Sequence, residues 1–289
     1  MRKTVALQPA LPILLVRDAV GAALREDLGL AGDVTSSATI AADATARAVL
    51  DSREAGILCG LDLAREAFAA LDPSIRFETL AADGERLSPG QDVARVSGNA
   101  RAMLAAERVA LNYLCHLSGI ATLTARYADA IAHTHAKVVC TRKTVPGLRA
   151  FAKYAVRCGG GSSHRYGLDD AVLIKDNHIA VAGGVRAAIR AARGAAGHLM
   201  KIEVEVDTLE QLAEAMEEAP DVVMLDNMTP DELRRGVALV GGRIPVEASG
   251  NVNLDTIAGI AETGVDVIST SKITMSAPTL DLGLDITIG

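Results

Sequence analysis

From Lys137 onward, short β-branched runs alternate with helical stretches, and no other feature of this chain restricts its fold so tightly. The runs are Val138 to Thr141, Val172 to Ile174, Ile202 to Val206, Val222 to Leu225, Ile244 to Val246 and Val265 to Ser269. Helices are predicted between them at Val185 to Arg193, Leu209 to Glu217 and Pro230 to Leu239. Such alternation makes right-handed βαβ units and a parallel sheet, which either curls into a barrel or stays open and doubly wound. Polar residues follow the runs: Arg142-Lys143, Lys175-Asp176, Asp226-Asn227, Glu247-Ala248-Ser249-Gly250 and Ser269-Thr270-Ser271. An open sheet concentrates ligand groups at one switch point, whereas a barrel gathers all its strand ends into one mouth. The distribution favours a barrel.

Up to about Leu117 the rhythm is mixed. An amphipathic segment near Val16 to Asp27, strands at Ala46 to Leu50 and Gly56 to Cys59, and a helix near Leu63 to Leu71 suggest a small α+β domain. Arg101 to Tyr127 reads as helical, with Ser118-Gly119 as a joint. The expected division is 1–117, with 276–289 as a candidate addition, and 118–275; a hydrophobic content of 49% supplies a core for each. The opening Met1-Arg2-Lys3 and Ala10 to Val16 faintly imitate a signal peptide, but Pro9 and Pro12 interrupt it, so an irregular arm is expected.

A net charge of -7 and an aromatic content of 2% with no Trp argue against a nucleic-acid partner. No apolar segment approaches the roughly 18 residues of a membrane-spanning helix, so no membrane partner is expected. Cys59, Cys115, Cys140 and Cys158 are widely separated and lack metal-ligand spacing. Their usage argues against a disulfide framework and a structural zinc, and favours a cytoplasmic location.

Within Ile202-Glu203-Val204-Glu205-Val206 the carboxylates lie two apart, so a strand puts them on one face and the aliphatic residues on the other. Taken singly, this is equally a solvated edge strand. Taken singly, too, Arg142, Lys143, His164, Arg165 and Lys175 are by default surface groups. Together at one mouth, with only Glu205 and Asp226 as counterweight, they make a cationic pocket in an acidic protein. Such a pocket suits an anionic substrate, because Arg forks bind carboxylate or phosphate and Lys supplies a point charge. Glu205 and Asp226 suit Mg²⁺, a hard cation held by one or two carboxylates and substrate oxygens. Gly159-Gly160-Gly161-Ser162-Ser163 is either a phosphate cradle or a plain bend. Ser249-Gly250-Asn251 and Thr270-Ser271 stand where barrels commonly build a phosphate site from their last loops.

Thr141-Arg142-Lys143-Thr144-Val145-Pro146-Gly147-Leu148-Arg149, Lys153-Tyr154-Ala155-Val156, Gly159-Gly160-Gly161, His164-Arg165 and Leu173-Ile174-Lys175-Asp176-Asn177-His178 closely resemble the quinolinate phosphoribosyltransferase family. Further matching motifs run in order from Glu26-Asp27-Leu28, through Glu107-Arg108, Glu203-Val204-Glu205-Val206 and Leu225-Asp226-Asn227-Met228, to Thr263-Gly264-Val265-Asp266. The resemblance implies an N-terminal α/β sandwich domain, a C-terminal incomplete α/β barrel and a head-to-tail homodimer whose subunits share active sites. It also implies Mg²⁺, with quinolinic acid and phosphoribosyl pyrophosphate as substrates. By motif position, Arg108, Arg142, His164, Arg165 and Lys175 would face the quinolinate carboxylates, with Lys143 in the same pocket. Lys143, Lys175, Glu205 and Asp226 would be catalytic; Ser249, Gly250, Asn251 and Ser271 would lie near the ribose phosphate. The chain departs from the family's usual residue at Ser163, Asn251, Ser271 and Met275.

The implied reaction is pyrophosphate departure from the ribose, attack by the pyridine nitrogen and loss of the 2-carboxylate as CO₂. Three alternatives stand beside it: a related transferase for another heterocyclic acid, a Schiff-base lyase using Lys175, and a catalytically silent phosphate-ligand binder.

Overall fold

The structure, a computed structural model, describes residues 10–287. Its chain packs as two units: one holds the stretch up to Leu123 together with Ala150–Gly160 and the segment from Ala277 on, the other Thr124–Arg149 and Gly161–Ser276.

The first unit opens with α1 (Ile13–Leu28), which has Pro12 at its N-cap. Proline fits there because the first-turn N–H groups have no helical partner. The irregular arm expected through Val16 therefore gives way to helix at Ile13; its first nine residues lie outside the described ones. Asp33 caps α2 (Val34–Thr39), its carboxylate accepting from the Ser36 amide at 3.0 Å. There follow β1 (Thr45–Ser52), β2 (Gly56–Ile57), α3 (Leu61–Leu71), β3 (Arg76–Thr79), β4 (Arg86–Leu87) and β5 (Gln91–Asn99). Next comes α4 (Ala100–Ala130), an uninterrupted helix of 31 residues with no joint at Ser118-Gly119. Gly119 serves close packing instead: a Cβ on it would stand 2.0 Å from the Pro278 carbonyl oxygen. Helix α5 (Arg149–Cys158) also packs in this unit.

The second unit is built on β6 (Lys137–Val139), β7 (Val172–Ile174), β8 (Ile202–Val206), β9 (Val222–Asp226), β10 (Val246–Ser249) and β11 (Val267–Ser269). All neighbours pair in parallel, in the order β6-β11-β10-β9-β8-β7. Among the described residues β6 and β7 do not pair with each other, so the barrel is incomplete. Helices α6 (Asp176–Ala182), α7 (Val185–Ala195), α8 (Leu209–Glu217), α9 (Pro230–Val240), α10 (Ile257–Ala261) and α11 (Lys272–Met275) follow the strands in turn.

Local chemistry sets these boundaries. Thr229 and Glu232 form a reciprocal capping box at the start of α9, Pro230 occupies its first turn, and Gly241 ends it at φ 62. On β8, Ile202, Val204 and Val206 are fully buried on one face, which leaves Glu203 and Glu205 to the other. A final strand, β12 (Leu282–Thr287), returns to the first unit and pairs antiparallel with β1, giving a sheet ordered β12-β1-β5-β3.

Candidate active site

The carboxyl ends of the barrel strands enclose a cavity of about 410 Å³ lined by Arg142, Lys143, His164, Arg165, Lys175, Glu205, Asp226, Glu247 and Ser249, among others. Strand pairing puts Ser249 beside Asp226 and Glu205 beside Met224 at that end. The Nζ of Lys175 donates to Glu205 Oε2 at 2.5 Å. This ion pair sets a carboxylate against the ammonium, the reverse of the lone desolvated lysine that a Schiff-base lyase needs.

Two guanidiniums lie in the same cavity with donors unspent. The Nε atoms of Arg142 and Arg165 are buried without an acceptor, while Arg165 Nη1 donates to the Ala171 carbonyl at 3.0 Å. Burial and the adjacent Arg142 lower Arg165 from its ordinary value. The charge of an anion bound between them offsets both effects.

Below these residues sits a carboxylate pair that the sequence reading did not assign to the site. His164 Nδ1 accepts from the Arg165 amide at 2.7 Å, which leaves Nε2 to carry the proton 2.9 Å from Glu203 Oε2. Glu247 Oε1 is 3.8 Å from the same nitrogen. Burial first, and the facing Glu203 second, push the Glu247 carboxyl up to about 7, against the opposing pull of His164 and a hydrogen bond from Ser269. A further cavity of about 420 Å³ opens among the strand starts at Val172, Val222 and Val267 and shares His164, Arg165 and Glu247 with the first. The trio therefore forms a polar floor between the two. Strand alternation already pointed Glu203 inward, and the same rule applied to Val246-Glu247-Ala248-Ser249 finds Glu247.

Beside the cationic cavity lies one of about 560 Å³, lined by Thr141, Lys143, Asp226, Asn227, Ser249, Gly250, Asn251, Thr256, Thr270, Ser271 and Lys272, among others. Its chemistry is hydroxyls and amides with two lysines and the Asp226 carboxylate. Two of the departures from the family pattern, Asn251 and Ser271, line this cavity. Asn251 sits at φ 53, the left-handed region that Asn tolerates better than most residues. Ser271 has φ -82 and so makes no demand for glycine. Met275 is exposed and lines neither cavity. Ser163 keeps a buried Oγ with no partner.

The glycine run forms no cradle at either cavity. Beyond it, Ser162 pairs as a parallel bridge with Val139, its amide donating to the Val138 carbonyl at 2.9 Å. The segment thus delivers His164 and Arg165 along the edge of β6. Arg108 stands exposed on α4 in the first unit and lines neither cavity.

A family model described as the C-terminal domain of quinolinate phosphoribosyl transferase matches residues 120–285, and one described as its N-terminal domain matches residues 33–118. The chain is 43% identical over 277 residues to the nicotinate-nucleotide pyrophosphorylase [carboxylating] of Mycobacterium leprae, covering 93% of this chain and 96% of that one. It is 42% identical over 263 residues to the probable enzyme of the same name from Bacillus subtilis, covering 91% and 90%. Among solved structures, NadC from Streptococcus pyogenes superposes with a TM-score of 0.94 at 40% identity, covering 96% of this chain and 99% of that one. The nicotinate-nucleotide pyrophosphorylase from Francisella tularensis superposes with a TM-score of 0.93 at 39% identity, covering 96% and 98%.

Proposed function

Because this chain belongs to the quinolinate phosphoribosyltransferase family, we propose that its cationic barrel mouth clamps two adjacent carboxylates while the hydroxyl-lined cavity beside it takes a ribose phosphate. The chain transfers the phosphoribosyl group of phosphoribosyl pyrophosphate to quinolinic acid with loss of CO₂, giving nicotinic acid mononucleotide and pyrophosphate, a step of NAD biosynthesis. The observation that carries the residue assignment is the pair of buried, unspent Nε donors on Arg142 and Arg165 in one cavity with Lys175.

In this reading Arg142, Arg165 and Lys175 hold the ring carboxylates, and His164, its ring engaged by the Arg165 amide and Glu203, supports Arg165 from below. Fixing them aims the pyridine nitrogen at the anomeric carbon, which is orientation catalysis. Glu205 and Asp226 face the positive charge that develops on the ribose as pyrophosphate leaves, and Lys143 shares the anionic pocket. The ring nitrogen becomes cationic once the glycosidic bond forms and draws electrons from the 2-position, which favours loss of that carboxylate as CO₂. Ser249, Gly250, Asn251 and Ser271 offer donors to the 5-phosphate.

Glu205 and Asp226 fit Mg²⁺. Each engages one oxygen, with Lys175 and Asn227 respectively, and keeps a second with no assigned protein donor. The set is all hard oxygen, as Mg²⁺ prefers. Bound there with substrate oxygens, the ion supplies charge neutralisation for the leaving pyrophosphate. Homodimerisation belongs to the same proposal, with Arg108 of the neighbouring subunit adding a fork to the quinolinate site; its exposure on α4 supports this. A cytoplasmic location rests on the cysteine usage of the sequence, and no described helix is long and apolar enough to cross a membrane.

Initial rates with quinolinic acid and nicotinic acid, each with phosphoribosyl pyrophosphate and Mg²⁺, test the clamp. Losing one charge-assisted contact costs about 1.5–3 kcal/mol, so nicotinic acid is expected to fall roughly 10- to 150-fold in kcat/KM. Equal values for the two acids overturn the assignment.

A further inference from the structure

Two thiols lie buried against each other in the first unit, and neither lines the barrel mouth. Cys59 leads into α3 and Cys158 ends α5; 99 positions apart in sequence, their sulfurs stand 3.6 Å from each other. Both are buried, Cys59 with no exposed surface at all. Asp83 completes the group: one carboxylate oxygen and the two sulfurs all lie within 4.8 Å of one another.

From this geometry we propose that Cys59, Asp83 and Cys158 form a binding site for a thiophilic divalent cation of the zinc class. The separation of the sulfurs decides between the two chemistries open to such a pair. Two thiolates about 2.3 Å from one tetrahedral ion stand roughly 3.8 Å apart, close to the spacing found. A disulfide requires closure to about 2.05 Å, hence a shift of about 1.5 Å inside a packed core. A hydrogen bond between two thiols also tolerates the observed spacing, but it makes no use of the carboxylate oxygen that lies within 4.8 Å of both sulfurs.

Asp83 is held in place from both α3 and α5. Its Oδ1 accepts from the Gly60 and Leu61 amides at 3.0 and 3.2 Å, which occupies that oxygen and fixes the carboxylate at the first turn of α3. Its Oδ2 accepts from the Tyr154 hydroxyl at 2.9 Å and keeps one lone pair for an ion. A partner that orients a ligating carboxylate in this way is the usual outer support of a metal site. Two thiolates and a carboxylate around a dication leave one negative charge, and the Arg157 guanidinium, 5.7 Å from the Tyr154 ring centroid, lies beside it. Linear spacing, which argued against a structural zinc, is blind to a pair this far apart. The other group of this type among the described residues, His164 with Glu203 and Glu247, belongs to the barrel site already described.

The test is a cobalt titration of the whole, reduced protein after chelator treatment. Wild type is expected to take up one Co²⁺ per chain with sulfur-to-cobalt charge-transfer bands in the near ultraviolet and tetrahedral bands in the visible, and Zn²⁺ should displace them. Cys158→Ala is expected to lose the charge-transfer bands, and Cys115→Ala to keep them. Tyr154→Phe leaves the three ligands in place and should weaken binding roughly 10- to 100-fold. The wild-type titration decides the matter even where a variant does not fold. Absence of charge-transfer bands, their survival in Cys158→Ala, or a bridged Cys59–Cys158 pair in the purified protein that only a thiol reductant opens would each overturn the site.

Discussion

Replacing Glu247 with glutamine is expected to flatten the pH dependence of folding stability on the alkaline side. The carboxyl is buried and faces Glu203, which raises it from the ordinary 4.5 to about 7. A group whose folded value is raised contributes stability that is fully present below its unfolded value and is lost as pH rises through the folded one. The full gap corresponds to roughly 3 kcal/mol, most of which falls between about pH 5 and 8. Glutamine keeps the shape, presents a neutral amide to Glu203 and has no proton to lose. Wild type and Glu247→Gln should therefore lie closest at about pH 4 to 5, and the variant should become the more stable by about 2–3 kcal/mol near about pH 8. Urea unfolding at several pH values, with slopes checked for equality, measures this difference and cancels the titration of groups remote from Glu247, so that the change read is that of Glu247 with its neighbours Glu203 and His164. Parallel stability curves for the two proteins across that range would refute a raised Glu247 and, with it, the account of the barrel floor.

Three further outcomes follow from the same structure. Asp226→Asn should lower kcat roughly 100- to 1,000-fold while quinolinate affinity, read by calorimetry, stays within a few-fold; poor binding with normal turnover at saturation removes Asp226 from the chemistry. Arg108→Ala and Lys175→Ala chains, each inactive alone, should regain roughly a quarter of wild-type activity when co-refolded, because random pairing in a two-fold dimer leaves that share of sites whole. No recovery despite proven subunit exchange would exclude a shared site. Gly119→Ala pushes a methyl to 2.0 Å from the Pro278 carbonyl and is expected to cost about 1–3 kcal/mol, whereas Gly194→Ala, in open space on α7, is expected to be neutral or slightly stabilising. Thermal melts that rank these two the other way would show that the segment carrying Pro278 yields freely.

The barrel was legible because its strands are short β-branched runs bounded by polar ends: five of the six strands lie on those runs, while β10 starts at Val246, where its run ends, and takes in Glu247-Ala248-Ser249. The capped helices between them, such as α8 and α9, were legible for the same reason. Less could be read in the first unit. On β5, Val93-Ala94 are buried in succession and break the alternation that marks a strand, and β12 draws its partner from more than two hundred residues earlier. The expected joint at Gly119 shows the limit of a local rule: a glycine in a helix signals either a break or a close neighbour, and only the neighbour, Pro278, tells which. In the site, the cations and the two strand-end acids announced themselves by charge at equivalent positions. Glu247 did not, because its strand was expected to end at Val246, which left Glu247 in the loop beyond it rather than on the inward face of β10. Cys59 and Cys158 carry no linear signal at all.

The pairing of β12 with β1 also sets an order of assembly during synthesis. A chain emerging N-terminus first completes β1, β3 and β5 early, yet the strand that covers the far edge of β1 comes after every strand of the barrel. Until then β1 presents a bare row of backbone donors and acceptors, which is the surface on which chains most readily stick together. The first unit to appear is thus the last to close, and a ribosome stalled anywhere before Leu282 leaves a nascent chain with that edge still open.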